Sequence, residues 1–261
     1  MLALFALFTS IEEVFYRVSD EAVARAKLTW WTEQLLGPEY ATSTHPVIRQ
    51  LHRSRAIAPA ARDALVNMLR ISLERLGAPS LANEDELKSL SLGIGQFPMQ
   101  LELALCAGSG WGEVPAAVCA VNGLVQLLRE SSRKLDQSYY WIPLNLLARH
   151  GLSRNELNAD GKSLPASQLM EKICRLGESW LASDQTRAGA SAPAGRAWAA
   201  WPKHPLYRHC YIQSEMNLRM LGRLRHMQLQ QHKQVFDSAN LSDAWCAWRC
   251  ALRTTEKGRL K

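Results

Sequence analysis

A chain of 261 residues that is 47% hydrophobic and 21% charged can bury a sizeable core, and its composition excludes an intrinsically disordered protein. The formal charge of +7 attracts anions in general, whether nucleic acid, anionic lipid or phosphorylated metabolite, and does not choose among them. Six cysteines without a CxxC pair exclude a zinc ribbon and a thioredoxin-like site, and they read as free thiols in a reducing compartment.

Met1 to Phe8 is apolar but soon meets Glu12 and Glu13, too short a run to span a bilayer. No basic segment precedes it, which argues against a signal peptide. The chain is therefore expected in the cytoplasm, within reach of peripheral membrane contact. Leu4, Leu7, Phe8, Ile11, Val14, Phe15 and Val18 recur at three- and four-residue steps and predict a helix over 2–17. An apolar run that begins at the initiator methionine suggests a helix that has lost what precedes it, or a start drawn too late.

Ser19 is placed to cap a second helix with Asp20 and Glu21 in its first turn. That helix carries Ala22 to Leu36 and stops at Gly37-Pro38. Pro46, after His45, opens a short third helix. Arg62 to Leu76 is amphipathic through Leu65, Leu69 and Leu73, and Gly77 with Pro79 ends it. Asn83 and Glu86 form a capping box for the next helix. Met99 to Leu105 follows Pro98, and the glycine cluster 108–112 reads as a turn between helices. No strand precedes that cluster and no Lys-Ser/Thr closes it, as a phosphate cradle would require.

Pro115 begins the stretch on which the functional reading turns. Val118, Val121, Leu124, Val125 and Leu128 give one apolar face, and Arg129, Glu130, Arg133 and Lys134 follow. Glu130 and Lys134 stand four apart, which taken alone is a surface ion pair worth about 0.3–0.5 kcal/mol. Pro143 starts a helix that Gly151 ends, and Ser153 with Glu156 makes a second capping box. Pro165 to Leu181 is helical, and 188–196, rich in Ala, Gly and Ser, reads as a flexible loop. Helices over 209–231 and 241–253 complete the chain, the latter carrying Trp245 and Trp248. No segment alternates with period two, so the fold is all-α with roughly eight to ten helices. It is read as a single domain over 1–255 followed by a basic tail, 256–261.

Arg208, Arg219, Arg223 and Arg225, near Trp198, Trp201 and Tyr207, have the composition of a nucleic-acid patch. At helical spacing they read instead as a solvated face over buried aromatics, and nucleic acid is set aside as a partner. Histidines 204, 209, 226 and 232 lack acidic partners at fixed spacing and read as surface residues. Cys246 and Cys250 lack the further ligands a metal needs. An all-α bundle can still act on prenyl diphosphates if two facing helices each present acids four apart. Such pairs hold Mg²⁺, which holds the diphosphate as it leaves.

The run from Val18 to Glu33, with Lys27-Leu28-Thr29-Trp30-Trp31 at its centre, the His45-Pro46-Val47 after it, and Leu128-Arg129-Glu130 through Ile142-Pro143 to His150-Gly151-Leu152 together resemble the squalene/phytoene synthase family. The resemblance implies a helical bundle of the isoprenoid synthase type with a central cavity. It also implies two aspartate-rich motifs. At the first, Glu12 and Glu13 stand for two acids and Tyr16 for the third. At the second, Glu130 and Lys134 stand for the two aspartates. Gln126 and Gly123 correspond to the asparagine and glutamine that precede the Arg-Asp pair, and Arg129 is unchanged.

These departures bear on chemistry. A lysine in place of a ligand repels a cation at about 4 Å by about 1–4 kcal/mol per unit charge, and a neutral phenol is no substitute for a carboxylate. The chain therefore resembles a degenerate branch, similar to the group that includes a mitochondrial complex I assembly factor and its bacterial relatives. The expectation is a non-catalytic protein without a cofactor that binds an isoprenoid lipid, a prenyl diphosphate or a protein partner. The alternative is a residual prenyl-diphosphate-processing transferase or diphosphatase using Mg²⁺. In either case Arg129, Lys134, Tyr16 and Gln126 would contact diphosphate or substrate, and Glu12, Glu13 and Glu130 would be what remains of the metal site.

Overall fold

A computed structural model describes residues 2–37, 42–53, 59–77, 80–107, 114–133, 139–159, 163–187, 205–227, 232–237 and 243–247. Eleven α-helices run through the described residues, and no strand is found among them. They belong to two compact units, one of Met1–Pro79 with Gln96–Val114 and one of Ser80–Gly95 with Pro115–Lys261. Among the described residues no helix is long and apolar enough to cross a membrane.

The first unit contains α1 (Leu2–Arg17), α2 (Glu21–Leu36), α3 (Pro46–Arg53) and α4 (Pro59–Leu76). The second helix is capped by Asp20, not by Ser19: the Asp20 carboxylate accepts from the amides of Ala22 and Val23 at 2.8 and 3.1 Å. A carboxylate one residue later reaches the same orphan donors and adds charge at the positive end of the helix. Leu7, Ile11 and Val14 of α1 meet Ala24, Leu28, Trp31 and Leu35 of α2, Ile48 and Leu51 of α3, and Leu65 and Leu69 of α4 in one buried cluster. The Lys-Leu-x-Trp-Trp run and the His-Pro pair that follows it are part of this packing. Trp30 and Trp31 stand edge to face at 5.0 Å, and His45 meets them at 5.5 and 5.1 Å, so the two stretches fasten α2 to the entry of α3.

Helix α5 (Glu84–Ala107) runs through Pro98 without a break. Its first half counts with the second unit and its second half with the first. The predicted capping box forms: the Asn83 side chain accepts from the amides of Asp85 and Glu86, and Glu86 reaches back to the Ala82 amide at 2.7 Å. The remaining helices are α6 (Ala116–Arg133), α7 (Leu144–Arg149), α8 (Arg154–Ala159), α9 (Leu164–Arg187), α10 (Pro205–Leu224) and α11 (His232–Asp237). Gly151, at φ +61°, supplies the left-handed residue that ends α7. The Ser153–Glu156 box starts α8, with the Ser153 amide donating to Glu156 at 2.6 Å. The loop expected at 188–196, the glycine cluster 108–112, Trp248 and the basic tail lie outside the described residues.

Within the second unit α5 and α6 cross at two glycines. A Cβ on Gly95 would run into the Cys119 carbonyl and stand 2.8 Å from the Gly123 amide, and one on Gly123 would run into the Ser91 carbonyl. Only hydrogen fits between the two backbones. A third glycine, Gly177 of α9, lets Leu124 and Leu221 close over it, since an added Cβ would lie 2.8 Å from a methyl of each. Gly222, by contrast, has nothing within 4 Å of the place a Cβ would occupy. Gly123→Ala is therefore expected to destabilise the protein by about 2–3 kcal/mol or more, whereas Gly222→Ala should stabilise it by about 0.5–1 kcal/mol through the lost flexibility of the unfolded chain. Thermal melts of the two variants should move in opposite directions.

Candidate functional site

Helix α6 is more deeply buried than one apolar face requires. Ala117 to Val121, Leu124, Val125, Leu127 and Leu128 are all buried, so the helix is enclosed on nearly every side, as an apolar core helix must be. Its start is fixed by Pro115, whose carbonyl accepts from the amides of Val118 and Cys119 at 3.0 and 3.2 Å. One polar stripe interrupts the apolar surface: Asn122, Gln126, Arg129 and Glu130 follow at steps that keep them on one side of the helix.

Each member of the stripe is held. The Asn122 side-chain oxygen accepts from Gln213 at 2.8 Å and from Asn217 at 3.2 Å, both on α10. The Gln126 amide points along the helix to the Glu130 carboxylate at 3.5 Å, and Glu130 is 9% exposed. The Arg129 guanidinium lies over the Phe236 ring of α11, 5.7 Å from its centroid. Ser131 accepts from the indole of Trp141 at 2.7 Å, and Trp141 is fully buried. That bond anchors the chain as it returns from α6 to α7. Lys134, four residues after Glu130, lies outside the described residues, and so does the expected ion pair between them. Sequence reasoning missed Asn122, Gln213 and Asn217. The four-residue steps from Asn122 to Gln126 and from Gln213 to Asn217 were the available signal.

The other motif positions are on α1, in the first unit. Glu13 pairs with Arg17 at 3.1 Å on an exposed face. Glu12 is half-buried, and Tyr16 sits in the same helix, its side chain outside the described set. The neighbour that sequence reasoning did not foresee is Arg75 of α4, which is buried with its guanidinium 4.2 Å from the centroid of Phe15. A cation stacked on an aromatic face in a dry environment is a favourable contact of about 2 kcal/mol.

Elsewhere in the second unit the described arginines of the basic run have carboxylate partners. Arg223 and Arg219 reach Asp243 at 2.7 and 3.7 Å, and Arg225 reaches Glu178 at 3.1 Å. Arg208, Trp198, Trp201 and Tyr207 lie outside the described side chains. Cys119, Cys174 and Cys210 are buried. Burial pushes the thiols of Cys119 and Cys174 up to about 12, which keeps them protonated and unreactive. His232 is not a surface residue: it is 2% exposed on the helix that packs against α6. Among the described residues of either unit, no three His, Cys, Asp or Glu side chains converge as metal ligands.

The squalene/phytoene synthase family model matches residues 1–235. The chain belongs to the squalene/phytoene synthase family. Its structure is similar to a crystal structure of a dehydrosqualene synthase in complex with ligand, with a TM-score of 0.70 at 14% identity, over 97% of this chain and 86% of that one. At that identity the likeness is one of fold, and it bears out the all-α isoprenoid synthase architecture. No curated protein matches the chain.

In this member of the squalene/phytoene synthase family, then, α6 carries the half-buried Arg129 and Gln126 and the buried Glu130 on one stripe, and His232 stands on the adjoining α11. Burial lowers the His232 imidazole below its ordinary value, against the opposing pull of the Leu224 and Met227 carbonyls. A depressed folded value means that the unfolded chain binds the proton first. The stability tied to neutral His232 is complete above about pH 6.5 and is lost as pH falls through the folded value. Melting temperatures measured across that range should fall on acidification, and His232→Gln should flatten the slope.

Proposed function

We propose that this protein no longer transfers prenyl groups and works by binding, taking up an isoprenoid lipid or prenyl diphosphate or docking a protein partner. The observation that carries this reading is the donor set of the second motif. Around Glu130 the sequence offers one carboxylate, with the Gln126 amide four residues before it and Lys134 four residues after it. Mg²⁺ requires nearly ideal octahedral oxygen coordination and is held through carboxylates. An ammonium at the position of the second acid opposes it. This set does not fit the paired-carboxylate site of active relatives.

Position 123 supports the same reading. Where the family's glutamine would stand there is a glycine whose Cβ position is taken by the Ser91 carbonyl, so no side chain can project from that point of α6. At the first motif, Tyr16 replaces the distal acid and Glu13 is engaged with Arg17. What persists is the part of the stripe suited to binding an anion or a polar head group, Arg129 with Gln126, on a helix packed firmly enough to hold it. On this reading the protein acts in the cytoplasm, with peripheral contact to a membrane, and nucleic acid is not its partner.

The full chain incubated with farnesyl or geranylgeranyl diphosphate and Mg²⁺ is expected to form no condensed product and to release no diphosphate. Turnover that disappears in Glu130→Gln would overturn this reading in favour of a residual prenyl-diphosphate-processing enzyme. In that enzyme Arg129 and Lys134 would hold the diphosphate directly.

A further inference from the structure

A cleft of about 240 Å³ opens beside α3, lined by Thr42, Ser43, Thr44, Arg49, His52 and Arg53. None of these residues belongs to α1 or α6, and no motif of the sequence reading includes them. The turn on one side of the cleft is internally fixed: the Ser43 hydroxyl donates to the Gln34 side chain at 2.9 Å and accepts from the His45 amide at 3.3 Å. Pro46 then starts α3, whose Ile48 and Leu51 are buried in the core of the unit. That burial turns Arg49, His52 and Arg53 together toward the other side of the helix, since steps of three and four residues share a face.

Among the described residues, no carboxylate stands against the two arginines of this face. Three other exposed arginines of the same unit stand against glutamates, Arg17 with Glu13, Arg25 with Glu21 and Arg70 with Glu74. Helix α3 contains no acid, and neither Arg49 nor Arg53 has a carboxylate partner among the described residues. Two guanidinium groups four apart repel and weaken a helix by about 0.2–0.5 kcal/mol. An anion between them reverses the sign of that interaction. The Thr44 hydroxyl on the facing turn can add a neutral hydrogen bond, and guanidinium forks match phosphate oxygens in pairs. The volume is below the roughly 300–1,000 Å³ of sites that enclose a drug-sized molecule, and the lining lacks large apolar side chains. The cleft therefore suits a compact anion and not a hydrocarbon chain.

We propose that the α3 cleft binds a phosphate group, either a free phosphate or diphosphate or the head group of an anionic phospholipid. The inference is independent of the reading of the family motifs, because it uses none of their residues.

The test uses the full chain and two probes, inorganic diphosphate followed by calorimetry, and sedimentation with vesicles of phosphatidylcholine with and without phosphatidylglycerol. Arg49→Gln/Arg53→Gln should weaken binding at least about tenfold, the scale set by charge-assisted hydrogen bonds. Arg25→Gln/Arg70→Gln removes the same charge from arginines outside the cleft and should leave binding near the wild-type value. Arg49→Lys/Arg53→Lys keeps charge and helix but loses the forks, and should fall between. Loss of diphosphate binding assigns the site to a soluble phosphate, and loss confined to phosphatidylglycerol vesicles assigns it to a lipid head group. The proposal is overturned if wild-type protein binds neither probe, or if the two glutamine double variants lose binding equally. Should circular dichroism show Arg49→Gln/Arg53→Gln unfolded, the lysine pair decides, and wild-type affinity there also overturns the proposal.

Discussion

The close approach of α5 and α6 at Gly95 and Gly123 sets the terms for the second unit. Two helices that touch backbone to backbone bring every neighbouring side chain inward. For that reason α6 is buried around almost its whole circumference and not along one stripe. A helix so enclosed cannot leave polar groups unpaired, because an unsatisfied buried amide costs about 1–3 kcal/mol. Asn122 meets that demand by accepting from both Gln213 and Asn217, and Trp141 does so through Ser131. The glycines thus determine the packing and also which polar contacts must exist.

In the first unit the corresponding constraint is aromatic. Trp30, Trp31 and His45 form a three-way edge-to-face cluster, and the sequence features that most resemble the family are the ones that build it. A motif can be specific to a fold without touching a substrate. The resemblance carried by Lys-Leu-x-Trp-Trp and His-Pro therefore identifies the architecture, while the chemistry must be argued from α1 and α6.

Most of the helices were legible because capping chemistry and apolar periodicity are local. The box at Ser153 and Glu156, the left-handed Gly151 and the span of α1 could each be read from a few neighbouring residues. The departures have non-local causes. Pro98 sits inside α5, where packing along a long helix outweighs the roughly 3 kcal/mol that proline costs in isolation. Helix α10 starts at Pro205, earlier than apolar periodicity alone suggested. His232 looked like a surface residue because sequence spacing carries no information about which turn will fold over it. The site was legible in identity but not in surroundings: Arg129, Gln126 and Glu130 were named, whereas Phe236, Gln213, Asn217 and Arg75 come from distant segments.

The proposed loss of catalysis is consistent with the stability of α6 itself. Two carboxylates one turn apart on a buried helix repel unless a divalent cation lies between them, and one of them must then take up a proton. A divalent cation such as Mg²⁺, held through carboxylate oxygens, would supply that compensation. On the proposed reading, Glu130 and Lys134 carry opposite charges four apart in the sequence, so no cation is needed to offset a second acid, and Gly123 admits the close approach of α5. On that reading, loss of the metal motif and retention of the fold require no separate explanations.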